Sequence, residues 1–164
     1  MTSETELLLF EASRSQLVRE VIRPALNRGD IVISDRFADS TTVYQGAARH
    51  LDPRIVETLN DIAVGSDRPD LTILLDLDLD TARTRMMRRA RPVQSVDRME
   101  QEPIVFYEQV SEGYRQLALR EPDRVRLIDG SGTVNEIEEK IWHEVSNRFS
   151  AMLANLGKSS ANRS

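Results

Sequence analysis

Apolar residues return every three or four positions from Glu4 to Arg28, so this stretch is predicted to be a helix with Leu7, Phe10, Leu17, Val21 and Ala25 on its core face. Pro24 should kink or restart it, and Gly29 suits its end. The pattern then changes. Ile31 to Ser34 is a short, β-branched apolar run between Asp30 and Asp35, which predicts a buried strand. A second helix is bounded by an Asp52 cap, Pro53 at its first position and Gly65 at its close, with Ile55, Val56, Leu59, Ile62 and Ala63 inward.

Leu71 to Leu77 reads as another buried strand, followed by a helix that Asp78 can cap and that runs through Arg89. Residues 90–97 read as a loop. Glu100 to Arg120 is predicted helical, with Phe106, Val110, Tyr114 and Leu117 on one side and Pro122 past its end. Val125 to Ile128 is a third short strand. Thr133 and Glu136 form a capping box for a last helix whose inner face is Val134, Ile137, Ile141, Val145 and Phe149. Strands alternating with helices predict parallel strands covered by helices on both faces, an α/β domain whose ligands gather at the carboxyl ends of the strands. Those ends are Asp35-Arg36, Asp76 to Asp80, and Asp129-Gly130.

Composition narrows the function. A chain of 164 residues, 40% hydrophobic and 30% charged, fits one ordinary domain. No apolar run is long enough for a membrane span, and the polar start is unlike a signal peptide. The absence of cysteine excludes disulfides, thiolate metal sites and a cysteine nucleophile. A net charge of -5 and a 5% aromatic share argue against a nucleic-acid binder. Of the 22 basic residues only Lys140 and Lys158 are lysines. The rest are arginines, which suit two-pronged contact with phosphate.

The densest chemistry lies in Asp35-Arg36-Phe37-Ala38-Asp39-Ser40-Thr41-Thr42-Val43-Tyr44-Gln45-Gly46. A strand end presents a carboxylate that can hold Mg²⁺ through water and a guanidinium that can clamp a phosphate. Polar side chains and a ring follow. Upstream, Phe10 and Arg14 are four apart, one above the other on a helix, where a ring and a fork of donors could meet a base.

These stretches resemble the thymidylate kinase family. Leu8-Leu9-Phe10 with Arg14 and Gln16, Pro24-Ala25-Leu26, Asp35-Arg36-Phe37, Ser40 and Tyr44-Gln45-Gly46 keep the family's order and spacing. Leu75-Asp76-Leu77-Asp78 with Arg85 and Arg89, Asp97-Arg98-Met99-Glu100, Gly113-Tyr114 and Ile128-Asp129-Gly130-Ser131 continue it, from about Thr5 to Phe149. The resemblance implies transfer of a phosphoryl group from ATP to dTMP, with Mg²⁺, in a cytoplasmic enzyme that is commonly a homodimer. It implies that Phe10 stacks on thymine and that Arg14 bonds the base carbonyl. Ser40 and Thr41 would help read the base. Tyr44, with Gln45 beside it, would pack under the deoxyribose and disfavour a ribose. Arg36 would hold the acceptor phosphate, with Asp35 near the magnesium. Arg85 and Ser131 fall on the ATP side. Arg83, Arg85, Arg88, Arg89, Arg91 and Arg98 crowd the region around a lid at about residues 88–98, and Arg89, Arg91 and Arg98 are the catalytic candidates.

One part of the family pattern has no counterpart. The phosphate loop G-x-x-x-x-G-K-[ST] does not occur in the 164 residues. Asp129-Gly130-Ser131-Gly132-Thr133 is the nearest run, and it has Thr133 where the lysine belongs. The expected fold is therefore the three-layer parallel sheet of P-loop nucleoside monophosphate kinases lacking its first two strands. Residues 1–155 form this partial domain, and 156–164 form a disordered tail. The chain reads as a fragment, with a glycine-rich loop expected in frame upstream. Two other readings stand beside dTMP kinase: a non-catalytic nucleotide-binding or dimerisation module, and a kinase for another nucleoside monophosphate.

Overall fold

The computed structural model describes residues 1–89 and 102–152, except the side chains of residue 83 and residues 86–89. The expected tail and most of the expected lid, including Arg91 and Arg98, lie outside the described residues. The described residues form two compact units, 1–69 with 102–114, and 70–89 with 115–152.

The first unit is helical. Helix α1 (Ser3–Leu17) starts at Thr2, whose hydroxyl accepts from Thr5 N, and carries Glu4 and Glu6 in its first turn, where the helix dipole favours anions. A π-helical turn, Val18–Ile22, links it to α2 (Arg23–Asn27), so the disruption expected at Pro24 is spread over the turn before the proline. The core face is not the expected one. Leu7, Val18 and Ile22 are buried, while Phe10, Leu17 and Val21 are exposed. The inward stripe runs Leu7, Glu11, Arg14, Val18, Ile22 at helical spacing, with Arg14 half-buried and the rest buried, and its two polar members hide it from a hydrophobicity pattern.

Residues 31–34 have no ladder bonds among the described residues, and Ile33 is 93% exposed. The expected strand is not formed: a β-strand exists only through a neighbour, and none pairs with this segment among the described residues. Short α3 (Ala38–Thr41) runs into a π-helix, Thr42–Ala48. Helix α4 (Pro53–Val64) is bounded as its sequence specifies. Asp52 accepts from Arg54 N, Pro53 opens the first turn, and Gly65 ends it at φ 62°. Its inner face includes Val56, Asn60, Ala63 and Val64, and Ile55 and Ile62 face solvent.

The second unit holds a two-stranded parallel sheet, β1 (Thr72–Asp76) beside β2 (Val125–Asp129). Register pairs Thr72 with Val125 and Asp76 with Asp129, so two carboxylates finish neighbouring strands at the same edge. Helix α5 (Leu79–Arg89) is capped by Asp78, which accepts from Thr81 N at 2.8 Å. Helix α7 (Val134–Arg148) has the expected capping box: Thr133 accepts from Glu136 N, and Thr133 N donates to the Glu136 carboxylate at 2.7 Å. Of its expected inner face, Ile137, Ile141, Val145 and Phe149 are half-buried and Val134 is 80% exposed. Helix α6 (Ile104–Arg120) begins after Pro103, later than the expected Glu100, and buries Phe106, Val110 and Leu117 as read from the sequence.

Candidate nucleotide site

The site in the first unit is built on the α3 and π-helical segment. Arg36 just before it has φ 65°, the left-handed region where a side chain is strained, and the Ser34 hydroxyl donates to the Arg36 carbonyl at 3.0 Å. In this conformation the Arg36 guanidinium lies 4.9 Å from the centre of the Tyr44 ring. Tyr44 is buried from below by the edges of Phe106 and Tyr114, at 5.9 and 6.2 Å. Burial pushes the Tyr114 hydroxyl above its ordinary range, opposed by its 3.0 Å hydrogen bond with Ser40. The arrangement is an aromatic floor with an exposed cation over it, able to hold an anion.

Arg14 meets the same segment at its start, and its side chain is only 11% exposed. Its Nη1 donates to the Thr41 hydroxyl at 2.9 Å, to Asn60 Oδ1 at 3.4 Å and to the Glu11 carboxylate, and its Nη2 donates to the Phe37 carbonyl at 3.2 Å. The guanidinium also lies over the Phe37 ring. Most of its donors are therefore used inside the protein, bracing the turn that carries Ser40 and Thr41. Asn60 completes the brace, donating to Thr42 Oγ1 and to the Ala38 carbonyl. Buried Glu11 keeps one carboxylate oxygen, Oε2, with no hydrogen-bond partner among the described residues.

The other sequence candidates are placed as follows. Phe10 is half exposed on α1, one turn before Arg14. Thr41 is buried against Arg14. Gln45 is also buried, and its amide donates to Glu6 Oε1 at 2.9 Å. Asp35 is an exposed carboxylate beside Arg36. In the second unit, Arg85 donates to the Gly130 carbonyl at 2.8 Å and the Ser131 carbonyl at 3.3 Å, so those two candidates meet at the end of β2. Arg89 lies on α5. Sequence reasoning passed over Glu11, Asn60 and Glu6. The available signal was an acid in the middle of an apolar helix face, which a core tolerates only when it is paired.

Parallel strands joined through helices, with a carboxylate at the end of each, define an α/β protein. Comparison with known proteins names the family. The thymidylate kinase family model matches residues 1–141. The thymidylate kinase of Syntrophotalea carbinolica is 46% identical over 148 residues, covering 88% of this chain and 68% of the relative. That of Kosmotoga olearia is 45% identical over 141 residues, covering 86% and 66%. The crystal structure of the Ehrlichia chaffeensis thymidylate kinase superposes with a TM-score of 0.68 at 29% identity, over 89% of this chain and 66% of that one. The chain belongs to the thymidylate kinase family, and it spans roughly two thirds of the length of these relatives.

Proposed function

We propose that this chain carries the dTMP-binding and lid portion of an ATP-dependent dTMP kinase that forms dTDP in the cytoplasm, acting as a homodimer. The carrying observation is the Arg36 guanidinium over the buried Tyr44 ring, in a chain of this family. On this reading the phosphate of dTMP takes Arg36, the deoxyribose packs beside Tyr44, and the base lies toward Phe10 and the Arg14-Thr41 brace. The donors left on Arg14 meet a base carbonyl, which favours thymine over cytosine. Arg85 and Ser131 serve the ATP side. Arg89, Arg91 and Arg98 are the candidates for stabilising charge on the moving phosphoryl group.

Magnesium fits the donor set in one way. Among the described residues no group of three or more His, Asp or Glu side chains gathers to hold a metal. Mg²⁺ suits that situation, because it keeps several waters and takes one or two carboxylates plus substrate phosphates. Asp35 is the carboxylate at hand, and the bound ion would neutralise phosphate charge.

Calorimetry on the 164-residue chain tests the reading. dTMP should bind, and more tightly than dCMP or AMP, with Arg14→Met narrowing the gap to dCMP. No turnover is expected from this chain in a coupled ATP assay, because it has no glycine-rich loop with a lysine. Tighter binding of dCMP or AMP than of dTMP overturns the substrate assignment.

A further inference from the structure

The π-helix carrying Tyr44 ends at Arg49, whose backbone N–H donates to the Tyr44 carbonyl at 3.0 Å. The Arg49 side chain is mostly buried between two carboxylates. Its Nη2 donates to Glu102 Oε1 at 2.7 Å, and its Nε lies 3.5 Å from Glu6 Oε1. The same Glu6 oxygen accepts from Gln45, the residue after Tyr44. The guanidinium also lies 4.7 Å from the centre of the Phe106 ring, and Phe106 is one of the two rings supporting Tyr44. One cation therefore reaches the tyrosine's neighbours by two routes, through Phe106 and through Glu6-Gln45. The hydrogen bond that Arg49 donates to Glu102 is the main reason it holds its proton even more firmly than usual.

We infer that Arg49 is a positioning residue for the sugar side of the site: it fixes the Tyr44 ring and through it sets the preference for a deoxyribose over a ribose. This rests on the reading of Tyr44 as the sugar platform. Arginine is suited to the task where lysine is not. Its planar fork meets two carboxylates while its face lies on a ring, and an ammonium makes only point contacts. Nothing in the proposal needs Arg49 to touch the nucleotide.

The test is the ratio of affinities for dTMP and for its ribose counterpart, 5-methyluridine 5′-monophosphate, measured by calorimetry on the full chain. Arg49→Met keeps bulk and removes the fork. It should weaken dTMP about tenfold, the scale expected from a misplaced supporting group, and weaken the ribose analogue much less, so that the ratio collapses. Arg49→Lys should give an intermediate ratio. Arg54→Met, at an 89% exposed arginine, should leave both affinities unchanged. If Arg49→Met weakens both ligands equally, the residue is only structural and the inference fails. If Arg49→Met does not fold, Arg49→Lys and Glu102→Gln decide by the same ratio, and an unchanged ratio in both overturns the proposal. Unsubstituted chain that binds no dTMP overturns the functional reading itself, whereas normal binding with an unaltered Arg49→Met ratio overturns the Arg49 assignment alone.

Discussion

Arg36 separates binding from stability, because its backbone and its side chain act in opposite directions. At φ 65° a residue with a Cβ sits in the left-handed region at a cost of roughly 1–2 kcal/mol. Glycine escapes that cost but gives up about 0.5–1 kcal/mol through its freer unfolded chain. Either replacement also loses the contact of the guanidinium with the Tyr44 ring, about 0.5–1 kcal/mol at an exposed position. Arg36→Ala keeps the strain and loses the contact, so it should be destabilised by about 0.5–1 kcal/mol. Arg36→Gly loses the contact and relieves the strain, and should stay within about 1 kcal/mol of the parent and above the alanine variant. Both should bind dTMP far more weakly. A charge-assisted hydrogen bond contributes about 1.5–3 kcal/mol, or roughly 10- to 150-fold in affinity. Urea unfolding at 25 °C and calorimetry with dTMP read the two quantities separately. An alanine variant as stable as the glycine variant would refute the strain argument. A variant of either kind that binds dTMP normally would remove Arg36 from the phosphate role.

Two further outcomes follow from single contacts. A Cβ added at Gly113 meets Val43 Cγ1 at 3.0 Å and Ala47 Cβ at 3.1 Å, both on the π-helix. Gly113→Ala gains about 1 kcal/mol of helix propensity and loses about 1–3 kcal/mol to overpacking, a net destabilisation that Val43→Ala should partly reverse in a double-mutant cycle. At the end of β2, hydrogen bonds from Ser131 and Lys140 hold the Asp129 carboxyl at about 2, below its ordinary 3.8. A depressed folded-state value adds stability above the ordinary range and loses it as pH falls toward 2. An NMR titration should find this low midpoint, Asp129→Asn should flatten the acid limb of stability between about pH 4 and 2, and an ordinary midpoint would contradict the geometry.

What the sequence made legible is what short-range chemistry decides. The caps of α4 and α7 depend on residues within four positions, so Asp52-Pro53, Gly65 and Thr133 with Glu136 appear where their types require. The two strands that formed are apolar runs bounded by acids, Asp70 and Asp78 for one and Asp123 and Asp129 for the other. Ile31–Ser34 has the same signature and no strand, because pairing is a property of a distant partner rather than of four residues. The inner face of α1 was misread for a more informative reason. Its inward stripe includes buried Glu11 and half-buried Arg14, and Glu6 is buried one residue before Leu7, so the hydrophobic period points elsewhere. A helix that spends core positions on charge is the local inconsistency expected where function outweighs packing.

Those charges share a pattern. Glu11 with Arg14, both on α1, and Glu6 with Arg49 are two carboxylate-arginine pairs: the second joins α1 to the segment that bears Tyr44, and the first places Arg14 against that segment. Arg14 holds its entry, through Thr41 and the Phe37 carbonyl, and Arg49 is the residue that closes it. Buried ion pairs roughly break even against apolar packing, so stability alone gives little reason to place two of them here. Position does. A π-helix is a rare and less favourable backbone that tends to occur at functional sites. Fastened to α1 at both ends, this one holds the Tyr44 ring between two fixed points, under a guanidinium whose own backbone is strained. The segment that bears Tyr44 is thus held at both ends by side chains of the first unit.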